Sequence, residues 1–180
     1  MCIAIMVKKG FQLNEETIDR CWKRNSDGAG VALVKNGKVE IHKGLMTLND
    51  FKDYYAQAVA GGSPSNMLVH FRIRTSGHVD QSNTHPFPIK GGAMIHNGVL
   101  FHPEGAKSDT RVVAEKWYNK FNKENLLLCR EQLGREVGNY NKFAFLYDDG
   151  EFAIVNEQQG NWVEVDDEKQ AVWFSNAGWR

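Results

Sequence analysis

The chain begins directly with a strand-like segment, and this start limits the folds open to it. Residues 2–7 (CIAIMV) are apolar and rich in β-branched side chains, a pattern typical of a buried strand. Lys8 and Lys9 follow at once, so the apolar run is too short for a signal peptide. We therefore expect a fold in which the extreme N-terminus is part of a buried sheet, with Cys2 at its start.

Position 2 is chemically distinctive because the cysteine follows the initiator methionine. If Met1 is removed, Cys2 carries a free α-amine beside its own thiol, which places a nucleophile and a base on one residue. The ordinary pKa of a thiol is about 8.5 and that of an α-amine about 7.7–8.0, so burial or a nearby positive charge must tune the pair. The alternative is an inert cysteine in a first strand.

The remaining elements predict an α+β fold. Helices are predicted from Asn14 and over residues 48–60, 110–121 and 124–133. Strands are predicted over residues 31–34, 39–42, 67–73, 93–95, 99–101, 143–147, 152–155, 162–165 and 171–174, with a polar loop at 76–92. The last four strands are interpreted as one antiparallel meander. This order predicts mostly antiparallel sheets in a single domain that spans residues 1–180.

Composition excludes several classes of function. The formal net charge is zero, so the chain lacks the positive charge that binding to nucleic acid or an anionic membrane requires. No apolar run approaches the length of a membrane span. The cysteines are odd in number and lack metal-ligand spacing, which favours free thiols in the cytoplasm, with Cys21 and Cys129 packed in the core.

Five short motifs gain meaning from their order after Cys2. They are residues 25–31 (NSDGAGV), 70–77 (HFRIRTSG), 83–87 (NTHPF), 96–100 (HNGVL) and 108–110 (SDT). In this order they closely resemble the class II glutamine amidotransferase domain, in particular its small stand-alone members. The resemblance implies an N-terminal-nucleophile hydrolase fold, in which two mostly antiparallel sheets are stacked between helices as an αββα sandwich.

The resemblance implies a catalytic role for three residues. Cys2 corresponds to the nucleophile, whose sulfur attacks the amide carbon of glutamine. Asn97, through its side-chain amide, and Gly98, through its backbone N–H, correspond to the oxyanion hole. Loss of one such donor typically costs about 10²–10³ in rate. Water would then hydrolyse the thioester on Cys2, with no cofactor and no metal ion.

The resemblance also implies how glutamine is bound. Arg72 corresponds to the arginine that pairs with the α-carboxylate, and a guanidinium suits that two-pronged task. Asp109 corresponds to the acid that pairs with the α-ammonium. Thr75 and Gly77 are expected to shape the pocket wall through backbone contacts, and His85 lies in the loop that lines the pocket. Arg74, Ser76 and His78 depart from the pattern of the larger family members.

Each motif also has a structural interpretation. Arg72 fits a surface residue or an ion pair, Ser108 or Asp109 fits the cap of a helix, and Asn97-Gly98 fits a hairpin turn. Asp27 is interpreted as shaping a turn. The histidines at positions 70, 78, 85 and 96 suggest a metal site, but their separations fit no compact ligand motif.

The expected function is hydrolysis of the glutamine side-chain amide to glutamate and ammonia. Since a synthase domain is not expected within 180 residues, a separate synthase subunit is the expected acceptor of the ammonia. One alternative is an amidase for a γ-glutamyl peptide or conjugate with the same Cys2 chemistry. The other is a catalytically silent binding subunit, which retention of Met1 would favour.

Overall fold

A computed structural model describes residues 1–165 and 168–180, which form ten strands and four α-helices. The strands are β1 Ile3–Val7, β2 Ala29–Lys35, β3 Lys38–Leu45, β4 Met67–Phe71, β5 Phe87–Ile89, β6 Gly92–Asn97, β7 Lys142–Tyr147, β8 Phe152–Val155, β9 Asn161–Val165 and β10 Glu168–Phe174. The helices are α1 Glu15–Arg24, α2 Leu48–Ala58, α3 Asp109–Lys116 and α4 Lys123–Val137.

The strands form two sheets in which every described pairing is antiparallel. The larger sheet has the order β3-β2-β4-β1-β10-β9, and the smaller has the order β5-β6-β7-β8. The N-terminal strand β1 therefore lies inside the larger sheet, hydrogen-bonded to β4 on one side and β10 on the other. Cys2 immediately precedes β1, so its position is fixed by two neighbouring strands.

Three apolar layers show how the elements stack. Helices α1 and α2 pack on one face of the larger sheet, and α3 and α4 pack on one face of the smaller sheet. A third layer lies between the two sheets. In β1, Ile3, Ile5 and Val7 face the helices, whereas Ala4 and Met6 face the smaller sheet. Both faces of β1 are buried, which explains its unbroken apolar run, and the predicted αββα sandwich is confirmed.

Three predictions about local structure are wrong. Residues 99–101 form no strand, because the chain leaves the smaller sheet after Asn97 and runs as a loop to α3. The predicted loop at 76–92 contains the short strand β5. The C-terminal strands form no single meander, since β7 and β8 pair in the smaller sheet whereas β9 and β10 extend the larger one beside β1. No helix in the described part of the chain is long and apolar enough to cross a membrane.

Candidate active site

Six of the eight predicted site residues line one small cleft at the ends of several elements, whereas Gly77 and Asn97 are absent from its lining. The cleft lies where β1 begins, where β4 and β6 end, and where α3 begins. Its lining includes six residues that the sequence singled out: Cys2, Arg72, Thr75, His85, Gly98 and Asp109. A nucleophile, a cation and an anion thus share one space, although more than a hundred residues separate Cys2 from Asp109 in sequence.

Cys2 is held by its backbone and by one contact of its thiol. The thiol donates to the backbone carbonyl of Ile73 across 3.3 Å, and Asn176 Nδ2 donates to the Cys2 carbonyl across 2.7 Å. The carbonyl of Met1 accepts a hydrogen bond of 2.9 Å from Asn25 Nδ2. Burial raises the pKa of the Cys2 thiol, and the positive charge of Arg72 opposes that rise. With Met1 attached, the thiol therefore needs a base before it can act as a nucleophile.

Arg72 is buried, which rules out the interpretation as a surface residue. Only 3% of it is exposed, and burial lowers the pKa of its guanidinium. Nη1 donates to the carbonyl of His78 and Nη2 to that of Ser76, each across 2.9 Å. Two of the five guanidinium N–H groups therefore hold the loop at 76–78 in place. Among the described residues, the other three N–H groups have no hydrogen-bond partner.

The loop at residues 27–28 is hydrogen-bonded to the backbone of Arg72. The N–H of Asp27 donates to the carbonyl of Arg72, and the N–H of Arg72 donates to the carbonyl of Gly28. Asp27 Oδ2 accepts a hydrogen bond of 2.7 Å from the N–H of Arg74. These contacts agree with the structural role that the sequence predicted for Asp27.

Asp109 is the first residue of α3, and its carboxylate is fixed by several donors. Oδ2 accepts from the N–H of Leu100 across 2.8 Å, and Oδ1 accepts from the N–H of Thr110 across 2.7 Å. The hydroxyl of Ser76 also donates to Oδ1 across 3.2 Å. Ser108, rather than Asp109, caps the helix, because its side chain accepts from the N–H of Arg111. The bond to Leu100 also explains why residues 99–101 leave the sheet.

Gly77 and Asn83 join two loops beneath the cleft. Gly77 has φ of 67°, and a Cβ there would lie 2.6 Å from the backbone nitrogen of Ser108, so only glycine permits this approach. The fully buried Asn83 accepts from the N–H of Ser108 across 2.8 Å and donates to the carbonyl of Ala106 across 2.7 Å. Asn83 lies within the motif at 83–87, but the resemblance implies no role for it.

Asn97 is the last residue of β6 and Gly98 follows it, and the two form no hairpin turn. Gly98 has φ of 153°, and a Cβ there would lie 2.2 Å from Asn141 Oδ1, so a side chain is excluded. Asn97 is fully buried, and its Nδ2 lies 2.8 Å from Ser175 Oγ. The two residues thus lie side by side, with Gly98 in the cleft wall.

Three buried histidines form a network around the cleft. His70 Nε2 lies 3.1 Å from the carbonyl of His96 and 2.6 Å from His85 Nδ1. Because a carbonyl only accepts, Nε2 of His70 carries the proton. Burial lowers the pKa of His70 to about 3, that of His96 to about 4, and that of His85 well below its ordinary value. All three are therefore neutral at neutral pH. Among the described residues, no group of three or more His, Cys, Asp or Glu side chains could hold a metal ion.

The remaining cysteines differ from each other. Cys21 is fully buried in the core, as predicted, and burial raises the pKa of its thiol to about 12. Cys129 is only partly buried on α4, so the prediction that it belongs to the core is wrong.

A larger open groove lies between Phe11 and Trp179, but no thiol, imidazole or basic side chain lies among its described lining residues. The cleft at Cys2 therefore remains the candidate active site.

Comparison with known proteins agrees with this geometry. No protein-family model matches the chain. It is 28% identical over 140 residues to the glutamine–fructose-6-phosphate aminotransferase of Caldanaerobacter subterraneus, a match that covers 69% of this chain and 23% of that enzyme. It is 35% identical over 88 residues to the enzyme of the same name from Symbiobacterium thermophilum, covering 46% and 14%. The matches thus span less than a quarter of these relatives' lengths.

A solved structure has the same fold. The glutamine phosphoribosylpyrophosphate amidotransferase of B. subtilis, complexed with ADP and GMP, superposes with a TM-score of 0.58 at 15% identity. The superposition covers 97% of this chain and 41% of that one. The chain thus has the N-terminal-nucleophile hydrolase fold. Together with the sequence relatives, this confirms the predicted resemblance to class II glutamine amidotransferases.

Proposed function

We propose that the chain, once Met1 is removed, hydrolyses the side-chain amide of glutamine to glutamate and ammonia. The observation that carries this proposal is the cleft itself, in which the thiol of Cys2 lies with Arg72, Gly98 and Asp109. The ammonia is passed to a separate acceptor subunit. The names of the relatives, which are glutamine aminotransferases and an amidotransferase, support glutamine as the substrate.

Two charged groups hold the amino-acid end of glutamine. The unused N–H groups of Arg72 bind the α-carboxylate, and the loop contacts of this guanidinium fix its orientation in advance. The carboxylate of Asp109 binds the α-ammonium. Its bonds to backbone N–H groups hold it in place before the substrate arrives. Thr75 and His85 complete the lining around the bound substrate.

The reaction proceeds through a thioester on Cys2. The free α-amine of Cys2 takes the thiol proton, and the sulfur forms a bond to the amide carbon. The resulting oxyanion accepts hydrogen bonds from Asn97 Nδ2 and from the backbone N–H of Gly98. The carbon–nitrogen bond then breaks, and the proton passes from the amine to the departing ammonia. Water, deprotonated by the same amine, cleaves the thioester and releases glutamate.

An intact-mass experiment tests this proposal. The protein is produced as a cleavable fusion that exposes Cys2, and its mass is measured before and after incubation with a chloromethyl ketone analogue of glutamine. We expect one adduct on Cys2, which glutamine suppresses by competition, together with release of ammonia from glutamine. Cys129 is the internal reference, because this partly exposed thiol should react with iodoacetamide but not selectively with the analogue. Absence of both the adduct and ammonia release would rule out a glutaminase.

The same preparation separates glutamine from larger γ-glutamyl substrates. The clamp formed by Arg72 and Asp109 recognises any free γ-glutamyl head, so both substrate classes can enter the cleft. The names of the relatives favour glutamine. We therefore expect a higher kcat/KM for glutamine than for a γ-glutamyl anilide. The opposite order would favour the alternative amidase.

Replacement of Arg72 by alanine is expected to raise KM for glutamine about 100-fold, because a charged hydrogen bond pair to the carboxylate is lost. The measurement is steady-state kinetics of glutamate formation. Arg74→Ala is the matched control, since Arg74 is exposed two residues further along and should leave KM unchanged. An unaltered KM in Arg72→Ala would remove Arg72 from the clamp.

A further inference from the structure

Ser175 connects the start of β1 to the end of β10. It is fully buried, its N–H donates to the carbonyl of Ala4, and its Oγ accepts from the N–H of Ala4, both across 2.9 Å. Ala4 lies two residues after Cys2. Both the main chain and the side chain of Ser175 are therefore hydrogen-bonded to the backbone of the strand that follows the nucleophile.

The same hydroxyl also contacts the fully buried Asn97, whose side-chain amide lies 2.8 Å away. In the structure the amide nitrogen faces Ser175, but the nitrogen and oxygen of an amide exchange places by rotation about χ2, so the two orientations are compared by the hydrogen bonds that each allows. If the nitrogen faces it, Ser175 Oγ accepts twice, and its own proton finds no acceptor among the described residues. Asn97 Oδ1 is then a buried acceptor without a donor.

The opposite orientation gives the Ser175 proton an acceptor and Asn97 Oδ1 a donor. The hydroxyl of Ser175 then donates to Asn97 Oδ1 while it accepts from the N–H of Ala4, so each of these groups has a partner. The Asn97 nitrogen becomes the one group without a protein partner. A buried donor in this state, next to the cleft residue Gly98, is what a developing oxyanion requires.

We propose that Ser175 is a positioning residue that turns the Asn97 amide so that its nitrogen serves the oxyanion. This inference rests on the proposed function, since it assigns the orientation of a group in that reaction. The neighbouring Asn176 acts on the same site, because its Nδ2 holds the Cys2 carbonyl while its Oδ1 accepts from the N–H of Gly178. The segment after β10 thus aligns the nucleophile with the oxyanion donor.

Kinetics of single and double variants test the role of Ser175. Ser175→Ala is expected to lower kcat about 10- to 100-fold, a part of the loss of about 10²–10³ that removal of an oxyanion donor causes. KM should change less than about threefold, because Ser175 is absent from the clamp that binds the ground state. In the Asn97→Ala background, Ser175→Ala should cost less than about twofold more, because the group on which it acts is already gone.

Ser65→Ala is the matched structural control. Ser65 is a buried serine whose Oγ also accepts from a strand N–H, that of Val34, across 2.9 Å, but it lies away from the cleft. We expect a similar loss of thermal stability in Ser65→Ala and Ser175→Ala, and a loss of kcat in Ser175→Ala alone. Should Ser175→Ala fail to fold, Ser175→Cys leaves no cavity, since its thiol is somewhat larger than the hydroxyl, and keeps only a weak donor, so its kcat should fall at least threefold.

The outcomes distinguish the two proposals. A wild-type protein that does not hydrolyse glutamine overturns the proposed function and the role of Ser175 with it. An active wild type with unchanged kcat in the Ser175 variants overturns the role of Ser175 alone. Multiplicative losses in Ser175→Ala and Asn97→Ala also overturn it, since they mean that Ser175 acts independently of Asn97. Non-additive losses in kcat support it.

Discussion

Cys2→Ala is expected to abolish glutamine hydrolysis while the fold remains intact. Removal of a covalent nucleophile typically costs about 10⁶ in kcat, and the α-amine alone supplies no bond to the amide carbon. The cost in stability is small, because the thiol makes one weak contact with Ile73 and the bond from Asn176 to the Cys2 backbone survives. Glutamate formation and the midpoint of urea unfolding are the measurements.

Cys129→Ala provides the control for this variant. Cys129 is a partly buried thiol on α4, outside the cleft, so its removal should leave kcat unchanged. Both variants lose one thiol, so a difference between their kcat values shows that activity depends on the thiol at position 2. Turnover at the wild-type rate in Cys2→Ala would exclude the thioester mechanism.

The motifs predicted the parts of the site that depend on local sequence. Arg72 and Gly98 lie just beyond strands, and Asp109 opens a helix, so a short stretch of sequence fixes each of them on a rigid element. The two stacked sheets and α3 bring the ends of these elements to the same edge of the sandwich, which is why these residues share a cleft. The resemblance to a family was needed to select them, since each residue alone also fits an ordinary structural role.

Ser175, Asn176 and Asn83 could not be predicted in the same way. Serine and asparagine near the end of a strand are typical of turns, and nothing in their neighbours indicates a partner. The contact of Ser175 with Ala4 depends on the pairing of β1 with β10, across 171 residues of sequence. Long-range register follows from packing of the whole sheet, which a local pattern does not contain.

The same limit explains the errors in the fold. Alternating and apolar runs identified most strands, including β7 to β10, but they did not indicate which strands pair. The last four strands looked like one meander because they follow each other closely. Packing instead places β10 beside β1, where Trp173 fills the layer between the sheets and Phe174 faces the helices.

The protein is expected to lose about 4 kcal/mol of its free energy of unfolding between pH 7.5 and pH 5.5, because three histidines are buried without charge. Burial lowers the pKa of His70 to about 3 and of His96 to about 4, and lowers that of His85 as well. In the unfolded chain a histidine has a pKa of about 6.5. Below that pH these histidines bind protons in the unfolded state but not in the folded state, so the free energy of unfolding falls as the pH drops.

Each buried histidine contributes about 1.4 kcal/mol per pH unit below 6.5, and unfolded carboxylates, with pKa values near 4, change little in this window. Urea unfolding at the two pH values measures the loss. His70→Gln is the informative variant, because His70 does not line the cleft, and it should reduce the loss to about 3 kcal/mol whatever its own stability. A loss that is the same in His70→Gln as in the wild type would mean that His70 takes up its proton over the same pH range in the folded and unfolded states, and that its burial beside the carbonyl of His96 does not keep it neutral.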